Sequence, residues 1–281
     1  MKGYRDIGTE TAFPPDALGW DQEAVSYRQL PAENPIFVLG HQLMYRLMAR
    51  LSSPADWPGQ KLLDFNCGSG NDFPFFLRQG FQVVGCDGSG QMLQQARQAH
   101  SQAYAAGQLR LLQGRAEDLQ AEHFPAGPFD WIYATTGAFS YVDDAEFLRQ
   151  HRALYQLLKP GGRLLTAQLT PFCLSASIYY LLRGRFRAIG RRWPGQLQVR
   201  IGGQWQPMYL RSYAHLRRLM GKQARYFPVL AVTPPYQTGY RPSRRALDSW
   251  ATWEERLLSR SWSCHIADQV AVYLEKPLGH D

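Results

Sequence analysis

Apolar positions early in the chain recur at helical spacing, then give way to short apolar runs. Leu39, Leu43, Met44, Leu47, Met48 and Leu51 share one helical face behind Pro35. Ser52-Ser53-Pro54 should stop that helix. From residue 61 the period changes. Lys61–Phe65, Gln82–Cys86, Leu109–Gln113, Phe129–Ala134 and Arg163–Leu169 read as short strands. Between them lie a helix over 72–79, one capped by Ser89 and running to about Ala103, and one from Asp143 or Asp144 to Leu157. Strands alternating with helices call for a parallel, doubly wound sheet.

After Leu169 the pattern loosens. Ile178, Leu182, Phe186, Ile189 and Trp193 predict one stripe of a helix, with Arg183, Arg185, Arg187, Arg191 and Arg192 off it. Leu197–Ile201 and Trp205–Leu210 flank Gly202-Gly203, a hairpin signal. A helix from Ser212 to about Met220, a strand over Tyr226–Val232, a helix over Leu247–Leu258 and a strand over Ala267–Leu274 complete the pattern. The expected fold is α/β, Rossmann-like, with seven mostly parallel strands and an antiparallel last one. Residues 1–60 form a helical cap segment and 61–170 a nucleotide-binding core. Residues 171–211 are a basic insertion, and 212–281 complete the sheet around a second insertion at about 234–263.

The chemistry is expected at the first strand–turn–helix. Asp64 ends a run that continues Asn66-Cys67-Gly68-Ser69-Gly70, and the second strand closes on Asp87. Glycines let the backbone turn sharply and approach a ligand. An acid at the end of strand two accepts hydrogen bonds from ribose hydroxyls. The G-x-G-x-x-G dinucleotide fingerprint is incomplete, since Phe73 stands where its third glycine belongs. Asp72 would repel a pyrophosphate at the helix start.

These residues resemble the class I S-adenosylmethionine-dependent methyltransferases. Asp64 to Gly70 is similar to the family's first motif, with Asn66 in place of its first glycine, and Asp87 matches its ribose-binding acid. Gly114–Leu119 resembles the adenine loop, with Arg115 where an Asp is frequent. Phe129–Thr135 and Leu158–Leu164 resemble the fourth motif and the turn before strand five. The resemblance spans about residues 60–170 and implies S-adenosylmethionine as cofactor. It implies Asp64, Asn66, Gly68, Gly70, Asp87, Gly88, Met92, Ala116, Glu117 and Thr135 as its binding residues. His41 is the candidate base, on the helical segment that packs near the pocket in this family; the other histidines are expected mostly in solvent. Tyr27, Phe139 and Tyr141 are the candidate acceptor contacts. The implied reaction is methyl transfer to an O or N atom of a small, aromatic or acyl-bearing, anionic molecule. An RNA methyltransferase, a membrane-associated lipid or quinone-type enzyme, and a nucleotide-binding oxidoreductase or binding module stand as alternatives.

Composition adds one feature. Apolar residues are 45% and charged residues 19% of 281, ordinary for a folded chain. Yet residues 147–247 hold 18 Lys and Arg and no carboxylate, against 10 basic and 17 acidic residues over 1–146. A solvated face, an anionic substrate and a phosphate-rich surface each explain it, with nucleic acid the weakest reading. Four scattered cysteines suggest neither zinc nor disulfides. No apolar run is long enough for a membrane span, and Met1–Asp16 shows no apolar leader. A cytoplasmic location is expected; the oligomeric state is open.

Overall fold

The computed structural model describes residues 4–7, 19–135 and 137–278. The chain begins with a short strand, β1 (Arg5–Asp6), and two helices, α1 (Trp20–Glu33) and α2 (Pro35–Leu51). Asn34 sets the start of α2: its side chain accepts hydrogen bonds from the backbone of Ile36 and Phe37, and Pro35 fills the first turn. Then come β2 (Lys61–Phe65), α3 (Phe73–Arg78), β3 (Gln82–Asp87), α4 (Gly90–Ala99), α5 (Ser101–Ala105), β4 (Leu109–Gln113), β5 (Phe129–Ala134), α6 (Asp144–Gln156) and β6 (Leu158–Leu169). Beyond them lie α7 (Leu174–Leu182), α8 (Phe186–Ile189), β7 (Gln196–Ile201), β8 (Gln204–Tyr209), α9 (Tyr213–Met220), β9 (Arg225–Val229), α10 (Arg244–Leu257) and β10 (Gln269–Glu275).

The sheet runs β1-β4-β3-β2-β5-β6-β10-β9. β4, β3, β2, β5 and β6 are parallel, and β10 lies antiparallel to both β6 and β9. This is the expected seven-stranded, Rossmann-like arrangement; the two residues of β1 add an eighth, antiparallel edge strand on β4. Its two faces are covered separately. Leu43, Leu47, Phe76 and Trp131 belong to one apolar cluster, and Phe65, Phe129, Phe147 and Leu154 to the other. The strand order reverses between β3-β2 and β2-β5, which puts a crevice at the carboxyl ends of β2, β3 and β5.

Several expected boundaries move. The helix after Ser89 breaks at His100 into α4 and α5. β6 starts at Leu158, so Lys159–Gly162 belongs to the strand. β9 stops at Val229 because Leu230 takes φ 57. The next three backbone N–H groups, of Ala231, Val232 and Thr233, all donate to the buried carboxylate of Glu254 on α10. The stripe from Ile178 to Trp193 is not one helix. α7 ends at Leu182, Gly184 turns at φ 65, and α8 is a separate single turn.

The Gly202-Gly203 hairpin forms as expected, both glycines at positive φ. Its tip leans on the start of α1: Gly202 N–H donates to Glu23, and a side chain at Gly202 would collide with the Gly19 carbonyl. Its far strand is tied down where Tyr209 N–H donates to Ser140 O.

Candidate active site

A cleft with about 990 Å³ of empty space, its open mouth included, lies at the carboxyl ends of β2, β3 and β5. Asn66 and Gly68 on the turn after β2, Asp87, Gly88 and Met92 after β3, Ala116 and Glu117 after β4, and Thr135 after β5 all line it. Residues spread from position 66 to position 135 thus converge because four parallel strands end on the same side.

The turn after β2 explains its sequence. Asn66 adopts φ 57, the left-handed region that Asn tolerates, so it does replace glycine there. Gly68 sits at φ 54, and a Cβ on it would stand 2.9 Å from the Tyr27 ring, which covers the turn from α1. Asp87 Oδ2 accepts the Gly68 N–H and Oδ1 the Ser89 N–H, both at 2.8 Å. The carboxylate therefore pins the turn while facing the cleft. A carboxylate only accepts hydrogen bonds, which is the chemistry that hydroxyl donors need. Ser89 caps α4 through the Met92 N–H, fixing Met92 in the cleft wall.

Three expected contacts fall elsewhere. Gly70 (φ 72) does not line the cleft; a side chain there would strike the Phe73 ring at 2.5 Å, so the glycine serves helix packing. Asp64 is 2% exposed and lies behind the turn. Burial, reinforced by Asp72 and Asp87, holds its carboxyl well above the usual range, and its Oδ2 has no hydrogen-bond partner. Phe139 is fully buried between Phe65 and Phe147 and touches neither cavity, so it is a core residue rather than an acceptor contact. Tyr27 and Tyr141 do line the cleft. Thr136 and residues 8–18 lie outside the described residues.

A second, narrow pocket opens off α2. Ile36, Phe37, Gly40, His41, Met44, Leu230, Tyr236 and Gln269 line it. Thr135 lines both cavities, so they adjoin at the end of β5. His41 is 7% exposed, with Nδ1 at 2.7 Å from Oδ1 of Asp72. A carboxylate only accepts, so Nδ1–H donates, and in the neutral imidazole Nε2 carries the lone pair. That Nε2 is buried with no partner. Tyr45 also donates to Asp72, and the Tyr133 hydroxyl lies 3.4 Å away. Asp72, at the start of α3, therefore faces α2 and pairs with His41.

Sequence patterns missed Trp20, which walls the cleft, and Asp21, which accepts hydrogen bonds from Ser89 Oγ and Gln91 N–H. His151, expected in solvent, is buried. Its Nδ1 contacts Phe147 O at 2.9 Å and its Nε2 contacts Thr166 Oγ1 at 3.2 Å. The arginines of the carboxylate-free stretch line neither cavity. Arg211 is buried and ties Asp144 to the carbonyls of Phe139 and Val142; Arg192 pairs with buried Asp268. Arg183, Arg185, Arg187 and Arg191 are exposed.

Comparison with known proteins gives one family match, a methyltransferase domain over residues 62–162. An uncharacterized methyltransferase of Synechocystis is 35% identical over 105 residues, 37% of this chain and 45% of that protein. The demethylmenaquinone methyltransferase of Thermus thermophilus is 35% identical over 116 residues, 40% of this chain and 48% of that protein. The chain thus spans about half the length of these curated relatives. Magnesium protoporphyrin IX methyltransferase of Synechocystis, solved with bound S-adenosylhomocysteine, aligns with 93% of this chain and 95% of its own. The TM-score is 0.54 and the identity 15%, a likeness of fold.

Proposed function

We propose, on the match of residues 62–162 to a methyltransferase domain, that the protein binds S-adenosylmethionine in the cleft and methylates a small molecule held in the adjoining pocket. The observation that carries the reading is the Asp87 carboxylate, which fixes the glycine turn and faces the cavity. The donor set fits the group. Asp87 would accept from the ribose, Met92 would offer an apolar wall to adenine with Ala116 and Glu117 flanking it, and Gly68 leaves room under Tyr27 that a Cβ would take. When bound, the cofactor supplies a methyl carried on a sulfonium.

The chain's own residues orient and deprotonate. Tyr27 and Tyr141 close the cleft from opposite segments, and Trp20 stacks edge-on against both rings. Holding the acceptor atom in line with the methyl is the main contribution, as proximity is worth several kcal/mol. His41 Nε2 takes the proton of the acceptor, and Asp72 stabilises the imidazolium through Nδ1–H. A base is needed only where the acceptor carries a proton, so the favoured acceptor is a hydroxyl, or a protonated nitrogen that becomes nucleophilic once His41 has taken its proton. The lining of Ile36, Phe37, Met44 and Tyr236 suits an aromatic or acyl-bearing molecule. The residues over 171–211 and 234–263 act as its cap, since Tyr236 belongs to one and Tyr209 braces the cleft loop from the other.

The test is a metabolite extract incubated with the protein and methyl-deuterated S-adenosylmethionine. A labelled product and accumulating S-adenosylhomocysteine are expected. Failure of any metabolite to acquire the label would remove the reading.

A further inference from the structure

We propose that α7, α8 and the turn after them form a docking face for the surface of an anionic lipid bilayer. α7 buries only Ser175 and Ala176, its small side. Elsewhere on it Ile178, Leu181 and Leu182 are exposed to solvent, Leu182 at 80%. Phe186 on α8 is 65% exposed and Trp193 60%. Scattered exposed apolar residues are ordinary, but five within sixteen positions, two of them aromatic, are a patch.

Charge identifies the occupant. Arg183, Arg185, Arg187 and Arg191 are exposed and interleave with these apolar residues. Among the described residues none of the four has an ion-pair partner, and 147–247 hold no carboxylate that could supply one nearby in sequence. Two guanidinium groups lie over Tyr179 and Tyr180 at 5.5 and 5.7 Å, so the cations stay beside the apolar surface. Apolar side chains that enter the acyl boundary, flanked by arginines that meet lipid phosphates, are the requirements of an interfacial segment. A second copy of this chain fits worse: a two-fold pairing would press the four arginines against their own counterparts. No helix among the described residues is long and apolar enough to cross a membrane, so the contact is peripheral.

The face adjoins the candidate pocket. Ser175 Oγ donates to Thr233 O, and α7 packs on the turn at Tyr236–Thr238, whose Tyr236 lines the His41 pocket. Docking would set that pocket beside the bilayer. The proposal stands independently of the methyl-transfer reading.

Vesicle co-sedimentation tests it, with the full chain and two vesicle types: phosphatidylcholine alone, and equal parts phosphatidylserine and phosphatidylcholine. Binding to the mixed vesicles only, weakening as salt rises, is expected. Leu182→Ser/Phe186→Ser/Trp193→Ser should weaken it at least tenfold. Arg183→Gln/Arg185→Gln/Arg187→Gln/Arg191→Gln should weaken it by about fivefold per arginine. All seven side chains are exposed, so circular dichroism should stay unchanged. Binding to neither vesicle type, equal binding to both, or full binding by either variant overturns the proposal. So does light scattering that shows a dimer dispersed by the apolar triple variant. Salt-steep RNA binding lost only with the arginines would also overturn it.

Discussion

His41 on α2 donates through Nδ1 to Oδ1 of Asp72 at 2.7 Å, and this leaves a buried, unpartnered Nε2 in the pocket beside Thr135. A base held this way has one tautomer and one orientation. His41→Asn should lower kcat by about 10²–10⁴-fold on a proton-bearing acceptor. KM and S-adenosylhomocysteine affinity should change little. Added imidazole should restore part of the rate to His41→Gly. Equal turnover by the His41→Asn protein would assign the dyad to structure alone.

Asp87 has two duties that substitution can separate. Asp87→Asn keeps one acceptor oxygen for the Gly68 or Ser89 N–H but brings a donor to the ribose side. Affinity for S-adenosylhomocysteine should fall at least tenfold while the thermal midpoint moves little. Asp87→Ala loses both and should show no binding heat and a lower midpoint. Unchanged affinity in either variant refutes the ribose role.

Gly68→Ala sets a Cβ 2.9 Å from the Tyr27 ring at φ 54. Strain of about 1–2 kcal/mol is expected in denaturant unfolding, together with weakened cofactor binding as Tyr27 is displaced. Gly107→Ala is the control, since it too has positive φ (71) but open space around it. It should lose stability without losing affinity.

His151 predicts a pH dependence. Burial, with Arg211 adding to it and the Phe147 carbonyl opposing, lowers its pKa from 6.5 to about 4. The folded state then binds fewer protons than the unfolded one between those values. Stability is present above pH 6.5 and is lost as pH falls towards 4, by up to about 3 kcal/mol. His151→Gln should flatten that slope in urea unfolding from pH 7 to pH 4. An unaltered slope would place the effect on other groups.

What was legible in the sequence was local. Asp87, Gly68 and the strands themselves follow from short apolar runs, each ending on a turn. Each strand and each motif is a short span, and their succession over residues 60–170 carried the fold class. Contacts between distant segments left no such trace. His41 and Asp72 are 31 positions apart, and Asp21 and Ser89 are 68 apart. Gly70 and Phe139 sit in motif positions, but packing against Phe73 and Phe65 decides their role. Helical periodicity ran through Ile178–Trp193 because it is blind to Gly184, whose positive φ splits the segment. The charge imbalance was visible at once, yet its placement was not. Arg192 and Arg211 are internal ties, and the exposed arginines line neither cavity.

Calorimetric titration with S-adenosylhomocysteine and, separately, NAD bears most directly on the cofactor assignment. Saturable heat with S-adenosylhomocysteine, absent with NAD and abolished by Asp87→Ala, is the expected result. No heat with S-adenosylhomocysteine, or comparable heat with NAD, would contradict it.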